Sequence, residues 1–144
     1  MTLSDLTIEH VIETFELLDD WEERYRYIID LGRKLPKLPE HAYREENKVR
    51  GCVSQVWLIC EYDENIPPAL SFKGDSDAHI VKGLIAILFL IFSGRRAEDI
   101  LTTDARAILD QLGLANHLSP LRTNGLFSMV KRIGHFARNE SAAA

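Results

Sequence analysis

The run at residues 84–92, LIAILFLIF, constrains this chain more than any other segment. A helix that is apolar on every side must be surrounded by protein or by lipid. A spanning helix needs roughly 18 or more apolar residues, and extending this run backwards meets Gly83 and Lys82 at once. The segment therefore predicts a buried central helix with the rest of the chain packed around it. At 144 residues the chain supplies one such core, since a domain of this size buries roughly 68–70% of the surface its unfolded form exposes. We expect a single domain over 1–144, with a flexible tail from about residue 139.

The flanking pattern is helical at both ends and extended in the middle. Ile8, Val11, Ile12, Phe15 and Leu18 follow helical spacing. Asp20-Trp21-Glu22-Glu23 has the form of a capping box, and Trp21, Tyr25, Ile28, Ile29 and Leu35 continue an apolar stripe with Gly32 near its end. Residues 33–46, with two prolines and dense charge, read as a long surface loop. Val49, Val53, Val56, Trp57, Leu58 and Ile59 supply strand-forming content interrupted by Gly51, which predicts two strands linked tightly at Gly51-Cys52. Residues 69–74 alternate as a third strand after the turn DENIPP. Ser76 reads as the N-cap and Asp77 as the first-turn acid of the central helix, which Ser93-Gly94 ends. Ala105, Ile108, Leu109 and Leu112 make a short helix, and Leu126, Met129, Val130, Ile133 and Ala137 the last one. Strands grouped between helices predict an α+β fold: a small three-stranded antiparallel sheet with helices packed on one face.

Charge narrows the function classes. Seventeen Lys and Arg against 22 Asp and Glu give a net charge of -5, without the basic excess that phosphate-backbone binding requires, so nucleic acid is not an expected partner. Two cysteines make no disulfide framework, and the start MTLSDLTIEH has neither the basic nor the apolar region of a signal peptide. We expect a cytoplasmic location and no membrane partner. His10, His41, His79, His117 and His135 show no metal-ligand spacing, and Gly74, Gly83 and Gly94 make no phosphate loop.

Cys52 is the residue that asks for chemistry. It follows Gly51 and sits close to Lys48 and Arg50, and neighbouring cations favour a thiolate and lower the thiol pKa. Gly51 permits a positive φ or a close backbone approach. The same residues admit a second reading, because a lone cysteine also serves as a small buried apolar side chain. Cys60, inside VWLIC, is expected to be buried and inert. On one continuous strand the two thiols would lie about 26 Å apart, beyond bridging reach. Ser54 shares the strand parity of Cys52 and reads either as a hydrogen-bonding neighbour or as an ordinary strand residue. Asp75 and Ser76 most economically cap the following helix, with an indirect effect on loop position as the alternative. Arg122, in SPLRTNG, precedes a glycine-containing turn and reads as a contact for the Cys52 loop or for a partner.

Four blocks in order, WEERYRYIIDLGRKLP, NKVRGCVSQVWLI, FKGDSDAHIVKGLIAIL and LSPLRTNGLFSMV, resemble the SufE family of sulfur-acceptor proteins. The resemblance implies a fold shared with IscU-type scaffolds, in agreement with the architecture above. It also implies a sulfur acceptor and activator of a pyridoxal-phosphate cysteine desulfurase of SufS or CsdA type. Persulfide sulfur would be taken on the family's acceptor cysteine, which corresponds to Cys52, and relayed to an iron–sulfur scaffold, a SufB-containing complex. Gly51, Ser54, Asp75 and Arg122 would bind the partner or position the loop. On this reading the chain is a sulfur-transfer partner rather than a stand-alone enzyme and carries no cofactor or metal, the pyridoxal phosphate belonging to the desulfurase. An IscU-type scaffold and a non-covalent desulfurase activator are the competing functions.

Overall fold

The computed structural model describes residues 2–143, with side chains through Ser141. Helices α1 (Ile8–Leu17) and α2 (Trp21–Gly32) open the chain. The α1 cap is Thr7, whose side chain accepts from the His10 N–H. Asp20 accepts from the Glu23 N–H at 2.8 Å, as the capping box predicts.

The apolar run forms the core of α3 (His79–Phe92), whose buried residues include every position from Leu84 to Phe89. Its crossing with α2 is close because both helices present glycine there. A Cβ on Gly32 would lie 2.6 Å from the Gly83 nitrogen, and one on Gly83 would overlap the Ile28 carbonyl. Each fully buried Leu, Ile or Phe contributes roughly 1.5–3 kcal/mol through lost apolar hydration, so this helix is the main source of cohesion. Among the described residues no helix is long and apolar enough to cross a membrane.

Strand β1 (Val56–Tyr62) pairs antiparallel with β2 (Ala69–Ser76), in register from Val56 opposite Ser76 to Tyr62 opposite Leu70. The two-residue β3 (Arg95–Arg96) adds to the other edge of β2, giving the order β1-β2-β3. The fold is α+β with a three-stranded antiparallel sheet, as expected, but one strand is a different one. Residues 49–55 form a loop, and the segment before it contributes only a single bridge, Lys48 to Trp57. Extension fails there for two reasons. Gly51 adopts φ +89°, and the Gln55 N–H is taken by the Asp77 carboxylate at 3.0 Å rather than by a neighbouring strand.

The sheet buries Val56, Leu58, Leu70 and Phe72 on the face that α3 covers. The segment after α2 crosses the opposite face through two 3-10 turns, Glu40–Ala42 and Glu45–Asn47. Its Tyr43 ring stands edge-on to Trp57, centroids 5.0 Å apart, and its hydroxyl donates to Asp75 at 2.5 Å.

Short helices α4 (Ala97–Thr102), α5 (Ala105–Gln111) and α6 (Leu114–His117) lead into the long α7 (Pro120–Ala143). Two expectations are corrected here. Residues 120–125 are helix, not a glycine-containing turn, because Ser119 supplies the start: its Oγ accepts from the Arg122 N–H and its carbonyl from the Thr123 N–H. Helix α7 also continues past Asn139 to Ala143, and the last residue of the expected tail, Ala144, lies outside the described residues. The cap of α3 differs too. Ser76 belongs to β2, Ala78 occupies the N-cap, and the Ser76 Oγ accepts from the Ala78 N–H at 3.2 Å.

Candidate functional site

The loop at residues 49–55 is held at three places by partners distant in sequence. At its base the buried Val49 donates its N–H to the Val56 carbonyl at 2.9 Å, and the Arg132 guanidinium of α7 donates to the Lys48 carbonyl at 2.6 Å. At its far end Gln55 and Asp77 bond reciprocally, the Gln55 carbonyl accepting from the Asp77 N–H at 3.3 Å. In between, the Cys52 thiol donates to the Gly125 carbonyl at 3.5 Å.

Glycine is required once at that contact. Gly51 holds a positive φ, and a Cβ there would meet the Ser128 Oγ at 2.5 Å. At Gly125 a Cβ would sit 3.4 Å from the Cys52 sulfur, in ordinary van der Waals contact, so the thiol packs directly on the α7 backbone.

Cys52 is half-buried and lines a cavity of about 150 Å³ between the loop, α3 and the start of α7. Val81, Leu84, Leu126 and Met129 form its apolar walls, and Ser54 and Arg122 are among its polar members. The rim carries Val53 and Leu121, 74% and 62% exposed. A reactive sulfur would be reached through an apolar mouth with one guanidinium at its edge.

Charge does not do what the local sequence predicts. Burial pushes the Cys52 thiol above its ordinary value. The Lys48 ammonium points instead to Glu45, 3.1 Å away, and over the Trp57 ring. Arg50 is exposed; it shares a shallow groove with Cys52 and also lines a second groove along α7. Desolvation of the anion therefore outweighs the expected cations, and the free protein holds Cys52 as a protonated thiol near neutral pH.

Cys60 lies on β1 opposite Phe72, half-buried rather than sealed. Burial first, and then the carboxylates of Glu140 and Glu61, push its thiol up to about 11 against a hydrogen bond with Tyr62. Both cysteines are free. They do not share a continuous strand, so the separation inferred from strand rise loses its premise. Among the described residues no three His, Cys, Asp or Glu side chains are grouped to hold a metal.

Of the residues singled out from sequence, Cys52, Ser54 and Arg122 come together around one cavity, with Gly51 in the adjoining backbone. Asp75 does not join them. It sits on the opposite face of the sheet, bonded to Tyr43 and 3.4 Å from the Lys82 ammonium, and so positions the Tyr43 segment rather than the Cys52 loop. Burial raises its carboxyl, but Tyr43, the Ser76 N–H and Lys82 together outweigh that and leave it below the usual range.

Asp77 and Arg132 hold the loop and were not singled out. Asp77 reads as an ordinary first-turn acid, and the Arg132 contact spans 84 residues, which leaves no local signal.

The chain matches the SufE family, described as an Fe-S metabolism associated domain, over residues 9–137. It is 51% identical over 128 residues to an uncharacterised SufE-like protein of Rhizobium meliloti, covering 88% of this chain and 91% of that one. An uncharacterised SufE-like protein of Rhizobium etli is 50% identical over 140 residues, covering 95% and 93%. The solution structure of a hypothetical protein from Thermus thermophilus shares the fold, with a TM-score of 0.75 at 20% identity over 94% of this chain and 96% of that one. With the family matched across nearly its whole length, this chain belongs to the SufE family and to iron–sulfur metabolism.

Proposed function

We propose that the protein accepts sulfur on Cys52 from the persulfide of a cysteine desulfurase and passes it to an iron–sulfur assembly scaffold. The observation that supports this most is the setting of Cys52: a single thiol on a tethered loop, half-covered, facing a small cavity with an exposed apolar rim. A carrier needs its sulfur sheltered between partners and reachable within a complex, and a loop held by a few hydrogen bonds provides both states.

In the transfer step the Cys52 thiol gives up its proton to solvent, from which the departing donor thiolate regains one, and the resulting thiolate attacks the terminal sulfur of the donor persulfide. A new S–S bond forms to Cys52, the donor S–S bond breaks, and the donor sulfur leaves as a thiolate. The proton of the persulfide stays with the transferred sulfur, and no external oxidant or reductant is consumed. Arg122 at the cavity edge stabilises the anionic sulfurs during the exchange. Ser54 offers the persulfide a hydrogen bond.

Desulfurase turnover tests the reading. Wild-type protein is expected to stimulate a SufS-type desulfurase, and Cys52→Ser to lose that stimulation while Cys60→Ser retains it. Full stimulation by Cys52→Ser would instead make the protein a non-covalent activator. A stoichiometric cluster bound after anaerobic reconstitution with iron and sulfide would make it a scaffold.

A further inference from the structure

Beside the Cys52 loop a second groove carries a charge opposite to that of the whole molecule. It is lined by Val49, Arg50, Ser128, Lys131, Arg132, His135 and Arg138, with no carboxylate among them, in a chain whose net charge is -5. The α7 members recur at three- and four-residue steps, so they form one stripe along the helix. At 1.5 Å per residue the stripe from Ser128 to Arg138 is about 15 Å long.

Internal structure accounts for only part of this. Arg132 holds the Lys48 carbonyl. Arg50, Lys131 and Arg138 are exposed and have no ion pair among the described residues. The dipole of α7 favours cations only in its last turn, whereas the stripe reaches back to Lys131, more than three turns before Ala143.

We infer that this groove docks an acidic surface of the sulfur donor, placing it alongside the Cys52 loop. The inference rests on the proposed sulfur-acceptor function. Charge complementarity selects the chemistry of the occupant, since unpaired cations in an otherwise acidic molecule steer and orient an anionic partner. The donor is the partner selected, because the tucked, sulfur-free loop is the state that the donor meets. The groove also touches that loop directly: Arg50 lies two residues before Cys52, and Arg132 grips its base.

The test titrates fluorescently labelled full-length chain against a pyridoxal-phosphate-loaded SufS-type desulfurase at two salt concentrations, and follows sulfur on Cys52 by mass in parallel. Lys131→Glu/Arg138→Glu is expected to raise the half-saturating concentration about tenfold or more and to flatten its salt dependence. The neutral pair Lys131→Gln/Arg138→Gln should fall between this variant and wild type. Arg26→Glu/Lys37→Glu, an equal charge change outside the groove, should leave binding unaltered.

Equal binding by wild type and both groove variants overturns the inference while leaving sulfur acceptance intact. Binding that depends on the groove, with no sulfur reaching Cys52, keeps the groove and rejects the acceptor reading. No binding by wild type rejects the inference. Tighter, groove-dependent binding of a 20-nucleotide DNA than of the desulfurase overturns it in favour of nucleic acid.

Discussion

A thiol pressed against the Gly125 turn of α7 loses the hydration its anion would need, and the Lys48 ammonium pairs with Glu45 instead. Alkylation of Cys52 by iodoacetamide is therefore expected to climb with pH along a curve centred above about 8.5, the value of an unperturbed thiol. Cys60 should follow only toward about 11. Cys52 labelling that has already levelled off below pH 8 would contradict the burial argument. Gly51 shows the same tightness in the backbone. Replacing it with Ala forces a Cβ into positive φ and against Ser128, at a cost of about 1–3 kcal/mol. The folded variant should relieve this by moving the loop, so Cys52 labels faster than in wild type; unchanged stability and labelling would show that the loop tolerates a side chain there.

Among the elements, the Tyr43 segment and the Cys52 loop are held by different carboxylates two residues apart in the chain. Asp77 ties the loop end. Asp77→Ala frees the Gln55 N–H, so that amide should exchange with deuterium about tenfold faster or more, with a stability loss of about 1 kcal/mol. Retained protection would place the restraint elsewhere. Asp75 ties the Tyr43 segment to β2. Because its folded pKa is depressed, its contribution is complete above the unfolded value of about 3.9 and is lost as pH falls through the lower folded value. Asp75→Asn should therefore be about 1 kcal/mol less stable at pH 7, with the gap closing as denaturation is repeated toward pH 3. A gap constant with pH would contradict the assignment.

Helices α1, α2 and α3 were legible in sequence because apolar spacing is a local signal, as is the Asp20 cap of α2. The loop was not, since its restraints come from 22, 73 and 84 residues away. Strand propensity in Val49 and Val53 thus lost to a glycine and a distant aspartate. Of the candidate site, Cys52, Gly51, Ser54 and Arg122 were readable from the motif, while the split between Asp75 and Asp77 needed the sheet register.

At the scale of the whole molecule, one apolar helix supports two structures that are loosely coupled. The core around α3 is continuous, and truncating Ile87, which is fully buried, to Ala should cost about 2–5 kcal/mol, read as a lower denaturation midpoint. A loss below about 1 kcal/mol would mean that the core collapses into the space. The Cys52 loop lies against that core, joined to it by the buried Val49, by the packed Cys52 side chain and by hydrogen bonds to α7 and Asp77. The basic groove on α7 borders this loop through Val49 and Arg50, so the stripe and the Cys52 cavity adjoin.

The central claim is that Cys52 accepts sulfur, and the most direct measurement is intact mass followed by peptide mapping. The protein is incubated with a SufS-type desulfurase and cysteine, without reductant. The account predicts a species one sulfur atom heavier, mapped to the Cys52 peptide, absent without the desulfurase and absent in Cys52→Ser but present in Cys60→Ser. Protein that stays at its original mass beside a demonstrably active, cognate desulfurase, or sulfur that maps to Cys60, would contradict it.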